Sequence, residues 1–322
     1  MLIIIPLVNI FPEYSWDHNI QIEPNFAIIN HKSQNLIHNS QHRRHTKLNQ
    51  YKEHGPIFIN GDTDFNRSVR VENWLGNGTP QNPFVIKGLR ITGLPGSSLI
   101  KIWNTDLHFQ ITNCFLDGGY YGIHLSYAPN FHISENIVVN NMRSGIFIGN
   151  HSRSSSSFPK YGNISNNIVS HNRENGIQLY YYFGNGSICN NNISLNYGYG
   201  VLIEGNVGEN VVSWNDFIGN NQGNSSQAYD ANGLKDVFEY NHWNDWTSPD
   251  VNTDGIVDIP YAIDGFANNS DPYPLVFSFI SYHEIPLKTG IQLDLSSITR
   301  LGFLLLFIGL IVILILKQKK ES

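Results

Sequence analysis

The sequence predicts an all-β fold: a parallel β-helix solenoid held by asparagine ladders, followed by one C-terminal transmembrane helix. Three observations carry this prediction. A unit of roughly 23 residues recurs through the middle of the chain, the signature of a stacked repeat architecture. Within each unit apolar and polar residues alternate with period two, rich in β-branched residues and with glycine at the corners, which is the pattern of short strands. And asparagine returns to the same place in unit after unit, beside residues that prefer a core.

Taken in order, the chain opens on "MLIIIPLVNIF". Residues 1–13 are signal-like and apolar, without a charged n-region or an evident cleavage site; an apolar first strand is the alternative. Residues 14–53 are expected to be a polar linker made basic by Arg43, Arg44 and Lys47; their His31, His38, His42 and His45 are the one cluster that offers a metal such as copper an alternative site. The β-helix is expected over 54–240, an Asp-rich C-terminal cap over 241–276 and a juxtamembrane linker over 277–300. The span 301–316, "LGFLLLFIGLIVILIL", has no charged side chain. As a helix it measures about 24 Å, which Ile298, Thr299 and a snorkelling Arg300 extend toward the ~30 Å hydrocarbon core. Lys317, Lys319 and Lys320 in the tail 317–322 place that end in the cytoplasm and the body outside, as a single-pass cell-membrane protein. Sequons beginning with Asn66 and Asn77 suit an exterior body. Charged residues make up 14% of the chain and the net charge is −6, with no basic stripe in the repeats, so nucleic acid is not an expected partner.

Aligned on their apolar residues, the repeats read "ITNCFL", "ISENIV", "ISNNIV", "ICNNNI" and "VSWNDF". Their fourth positions are Cys114, Asn136, Asn167, Asn191 and Asn215. A second set, Asn141, Asn172, Asn196 and Asn220, follows five residues later in each unit, and then come "GIHL", "GIFI", "GIQL" and "GVLI". Stacked asparagines satisfy the backbone groups of a buried turn that strand pairing cannot reach. "HSRSSSSFPK" reads as a loop expelled from one corner, which restores the period. Cys114 and Cys189 fall some 14 Å apart at about 4.8 Å per coil, too far for a disulfide, and are expected to be free thiols.

Three further stretches, "HGPIFINGDTDF" from His54, "GNGTPQNPFVIKGLRI" from Gly76 and "YNHWNDWTSPDVNTDGIVDIPYAIDGFANNSDPYPLV" from Tyr240, complete a resemblance over about residues 54–276. The chain resembles the right-handed parallel β-helix proteins of pectin-lyase-like fold, in particular the NosD-type carbohydrate-binding and sugar-hydrolase (CASH) group. The resemblance implies a single-stranded right-handed solenoid at the cell surface, in a family that spans enzymes and non-enzymes. It also raises copper delivery as a role. Copper(I) favours Cys and Met, of which this chain has only Cys114, Cys189, Met1 and Met142, so copper is not the expected cofactor.

Pectinase-type enzymes work on the outer face of one long parallel sheet, and the "GIxL" strands supply such a sheet. With Ile123, Ile146, Ile177 and Val201 inward, the outward rows hold Lys101, His124, Phe147, Gln178 and Leu202, then Trp103, Ser126, Gly149, Tyr180 and Glu204. Glycosidases need two carboxyl groups about 5–10 Å apart. These rows contain one, Glu204, so a polysaccharide lyase or glycoside hydrolase is the alternative rather than the first expectation. Trp103, His124, Phe147, Gln178, Tyr180 and Glu204 are instead candidate ligand-binding residues for glycan or envelope components, set against the plainer reading of scattered surface aromatics.

"DVNTDGIVD" resembles an EF-hand or dockerin calcium loop. Asp250, Asn252, Asp254, Ile256 and Asp258 occupy positions one, three, five, seven and nine, and position twelve is Tyr261 where an acid is expected. A structural Ca²⁺ and an ion-free Asx-rich turn both fit the pattern. Either way, with Trp243 and Trp246 the segment is placed to close the end of the solenoid.

Overall fold

A computed structural model describes residues 51–278 apart from 94–95, 150–161, 181–183, 206–207, 224–225 and 232–234. The signal-like segment, the four linker histidines, the Ser-rich loop and the span 301–316 lie outside the described residues. Among the described residues no helix is long and apolar enough to cross a membrane.

The chain winds through three parallel sheets of eight, seven and seven strands, each coil contributing one short strand to each sheet. One coil runs Ile168–Ser170 in the first sheet, Ile177–Tyr180 in the second and Ser187–Cys189 in the third. The first sheet starts at Lys52–Glu53 and ends at His242–Trp243, a little beyond both ends of the span the repeats suggest. Side chains alternate, so Ile164, Val169 and Ile177 of successive strands enter one continuous apolar core while their neighbours face out.

The corners depend on the asparagines. Asn167 donates both its backbone N–H and its Nδ2–H to Oδ1 of Asn191, at 2.9 and 3.0 Å, and Asn191 does the same to Asn215, at 3.0 and 3.0 Å. The second Nδ2 hydrogen goes back to a strand carbonyl of the preceding coil, Ile133 for Asn167 and Ile164 for Asn191. The column extends beyond the repeats read from sequence: Asn215 donates to Asn241, and Asn241 to the Asp271 carboxylate. At its start Cys114 offers only its backbone N–H to Asn136. The second column, Asn141 to Asn220, is built alike and ends on Gln227, whose Nε2 reaches Asp245. A third, short column runs from Gly186 through Asn210 to Asp236.

Each ladder residue short of the terminal Gln227 and Asp271 follows a residue in the left-handed region. Before the first column stand Asn113, Glu135, Asn166, Asn190, Trp214 and Tyr240; before the second, Asn140, His171 and Leu195; before the third, Asn185, Glu209 and Lys235. Bulky L-residues resist this conformation by about 1–2 kcal/mol each, so the hydrogen bonds beyond the bend must compensate. The column Gly122, Gly145, Gly176 and Gly200 has a different reason. A Cβ on Gly145 would lie 2.6 Å from Val169 and 3.0 Å from the Gly176 carbonyl, so here it is close stacking that demands glycine.

Both ends are closed. At the N-terminal end a helix, Gly61–Glu72, which the sequence reading did not anticipate, inserts Phe65 against Phe84 and Phe109 with ring centroids 5.0 and 5.4 Å away. "NTD", Asn104 to Asp106, tethers it: Asn104 Nδ2 donates to Asn60, and the Thr105 hydroxyl and Asp106 N–H donate to Asp62. At the other end Phe217, Trp243 and Tyr261 stack through the core at 4.1 and 4.0 Å. Cys114 and Cys189 are free thiols, and burial pushes the Cys114 thiol up to about 11.

Two measurements test the ladders. Asn191→Ala strips the acceptor from two buried donors of Asn167 and is expected to cost about 3–5 kcal/mol in denaturant unfolding; a loss below about 1 kcal/mol would mean water substitutes for the amide. Burial, countered by the Asn210 donors and reinforced by Asp230, raises the Asp236 carboxyl from 3.8 to about 6 in the folded protein. An acid so raised contributes stability that is complete below its unfolded value and lost as pH climbs through the folded one. Asp236→Asn is therefore expected to raise the melting temperature at about pH 7.5 and to change it little at about pH 4, and an equal effect at both would contradict the assignment.

Candidate functional site

The second sheet presents the long outer face. Its register aligns Phe58, Lys101, His124, Phe147, Gln178, Leu202 and Tyr229 in one row. In the next, Trp103 lies beside Ser126, and Tyr180 lies between Gly149 and Glu204. All six candidate ligand-binding residues, Trp103, His124, Phe147, Gln178, Tyr180 and Glu204, thus occupy the outward positions that the alternation assigns. Phe58 and Tyr229 lengthen the row at its two ends.

Direction and accessibility part company in the middle. His124 is 7% exposed and Phe147 3%. Tyr121, from the turn before the strand, packs its ring about 5 Å from both, and Tyr180 leans on Phe147 from the far side at 6.1 Å. Burial holds the Tyr121 hydroxyl above the usual range, so it stays protonated. His124 Nε2 lies 3.3 Å from the Ser126 hydroxyl, which donates to the Gly149 carbonyl. This aromatic cluster separates two open regions. On one side the Lys101 ammonium sits over the Trp103 ring at 4.8 Å.

On the other side the face opens into a cavity of ≈ 580 Å³ whose lining includes Tyr197, Tyr199, Tyr229, Leu202, Glu174 and Glu204. Tyr199 and Tyr229 set their rings 5.3 Å apart, and the Tyr199 hydroxyl donates to Asp264 at 3.4 Å. Gln178 bridges inward, its Nε2 donating to Glu204 at 3.3 Å while its carbonyl accepts from Ser144 at 2.8 Å. Glu174 is ion-paired with Arg143, whose Nε also donates to the Tyr120 hydroxyl; those two partners, Tyr120 first, raise the guanidinium further and keep it charged. The arrangement offers flat rings and fixed donors and acceptors side by side, with two carboxylates lining one cavity. The sequence reading found Glu204 and missed Glu174, Tyr199 and Tyr229. Glu174 belongs to the turn between the second ladder and the glycine column, where the coils read "MRS", "REN" and "YGY", too variable for alignment to single it out.

The Asp-rich loop is ordered by its own side chains. Asp250 accepts from the N–H groups of Asp254 and Gly255, Asn252 from Asp254, Asp254 from Ile256, and Asp258 from Val251. These are Asx turns. Position twelve is occupied by Tyr261 because that ring belongs to the core stack, its hydroxyl donating to Asp245 and accepting from the Gln227 N–H. Among the described residues no group of three or more His, Cys, Asp or Glu side chains is placed to hold a metal ion. The carboxylates as arranged do not converge on a calcium shell. Chelation is accordingly expected to leave the melting temperature unchanged, and a calcium-dependent rise of several degrees would show that Asp250, Asp254 and Asp258 turn together onto an ion.

A family model described as "Periplasmic copper-binding protein (NosD)" matches residues 57–265. No curated protein matches the chain, and no solved structure does.

Proposed function

The chain belongs to the NosD family, and from that premise and the outer face of its second sheet we propose that it is a membrane-anchored, outward-facing β-helix that binds glycan or other envelope components without catalysis. The observation that carries the reading is the cavity beside the aromatic row. Tyr199 and Tyr229 offer ring faces against which the C–H faces of a sugar stack, while Glu174 and Glu204 supply hydrogen-bonding partners for its hydroxyls, Glu204 held from beside the cavity by Gln178. Low charge elsewhere on the chain suits a neutral, hydroxyl-rich ligand. The anchor rests on Leu301–Leu316 and the basic tail after it.

The copper in the family's description finds poor support in the described residues. Copper(I) requires clustered soft donors. Cys114 lies buried in the ladder with its thiol held neutral, and among the described residues no group of three or more His, Cys, Asp or Glu accompanies Cys189.

One observation favours a second reading, glycoside hydrolysis. Glu174 and Glu204 project from adjacent coils into the same cavity, as an acid and base pair must. Against it, Glu174 is already engaged by the Arg143 guanidinium rather than free to face a ligand.

A glycan array probed with the full chain, followed by an assay for new reducing ends or unsaturated products, separates the two. Binding without product is expected, weakened about tenfold by Tyr229→Ala. Product formation abolished by Glu204→Gln would establish the enzyme instead, and the absence of any bound glycan would refute the first reading.

A further inference from the structure

The third sheet shows outward neither the aromatic rings of the second nor the apolar residues of the first. Ile86, Ile111, Ile133, Ile164, Ile188 and Val212 enter the core, so the residues on either side of them face out in two rows. In register, one row reads Lys87, Thr112, Ser134, Ser165, Cys189, Ser213 and Glu239, and the other Val85, Gln110, His132, Asn163, Ser187, Val211 and Val237. Short polar side chains fill the middle of both rows, and burial lowers the His132 pKa, so its ring is neutral at pH 7. The charges stand at the two ends, Lys87 on the first strand and Glu239 on the last, and among the described residues neither is ion-paired. Counted from the central strand Asn163–Ser165, positions at equal distances match or complement one another: Thr112 with Ser213, Val85 with Val237, the large His132 with the small Ser187, and Lys87 with Glu239. A face with this property fits itself after a half turn about an axis along its middle strand, the condition for an isologous contact.

We propose that a second copy of the chain docks on this face, sheet against sheet, with the coils of the two copies running in opposite directions. Lys87 then meets the partner's Glu239 at both ends, Ser165 meets the partner's Ser165, and Val85 meets the partner's Val237. The bend that follows these strands supports the same axis. Gly88 stands at one end of it and Tyr240 at the other, both in the left-handed region, with the Tyr240 ring stacked between Trp214 and Tyr273 at 5.0 and 5.0 Å. The half turn sets each Tyr240 beside the partner's Gly88, where a Cβ would meet nothing within 4 Å, so the bulkiest part of the bend finds an open one. Six strand spacings make the face about 29 Å long, and three residues of strand make it about 10 Å wide. The resulting ~300 Å² is below the ~800 Å² per partner of a standard interface, so the two copies exchange rather than lock.

Cross-linking of the full chain with a short bis-maleimide, in a Cys189→Ser background, tests this. Ser165→Cys is expected to link to itself between two copies. Thr112→Cys alone is not, because the half turn leaves two such residues four spacings or about 19 Å apart along the face, but mixed with Ser213→Cys it is expected to link as fast as Ser165→Cys. Lys87→Glu, an exposed change, is expected to slow both links about fivefold, and Lys87→Glu combined with Glu239→Lys to restore them. Thr112→Cys alone linking as fast as Ser165→Cys would mean random collision, and links indifferent to Lys87→Glu would remove the charge match. A purified chain that stays unlinked, whether or not the same cysteine links to other proteins in intact membranes, would deny the face to a second copy. Each of these outcomes overturns the proposal.

Discussion

Everything in this molecule depends on how a turning chain satisfies its amides. At each corner the backbone leaves the sheet and its N–H points along the solenoid axis with no strand to receive it. Asparagine meets the need because its one carbonyl accepts two bonds while its amide group donates two. It takes both donors of the preceding coil and passes both of its own to the next. The columns are therefore directional, and their unpaired donors accumulate at the C-terminal end. All three columns finish at a carboxylate: Asp271 and Asp236 directly, Asp245 through Gln227. Burying an acid is costly, but two or three converging donors offset that cost. Asp271 also takes the indole N–H of Trp243, so the same group that ends a ladder orients the terminal ring of the core stack.

The ladders also set the register, and the register makes the surface. Once each coil's corner is locked over the next, the outward positions of the second sheet fall into straight rows, and Gln178 meets Glu204 though 26 residues separate them. The glycine column holds the spacing tight at the entrance to that sheet. The result is a rigid face on which side chains from several coils act together, the condition for recognising an extended ligand without first ordering a loop.

Much of this was legible in the repeats, and the failures have physical reasons. Asn136 through Asn215 were visible because one chemistry fills the position in every coil. The left-handed bend before each was not, because Trp214, Tyr240, Leu195 and Glu135 are poor left-handed residues placed there by the bonds that follow rather than by preference. The third ladder escaped notice because only Asn210 and Asp236 represent it. Gln227 escaped because a longer connection sets it out of period while its longer side chain still reaches. Alternation correctly sent His124 and Phe147 outward, yet it carries no information about Tyr121 folding over them. Tyr261, at the twelfth position of the calcium-like loop, belongs to a ring stack formed by residues far away in sequence.

Because the coils of Asn167, Asn191 and Asn215 each receive and return the same pair of bonds, none of these three knows its number. Excising or duplicating a coil of 24 residues, such as the one separating Asn191 from Asn215, would leave the same pair of bonds to be made across the junction. The two ends, with their helix and their carboxylates, are specific; the middle is a ruler graduated in strand spacings of about 4.8 Å. Such a chain changes its length by changing its count of marks.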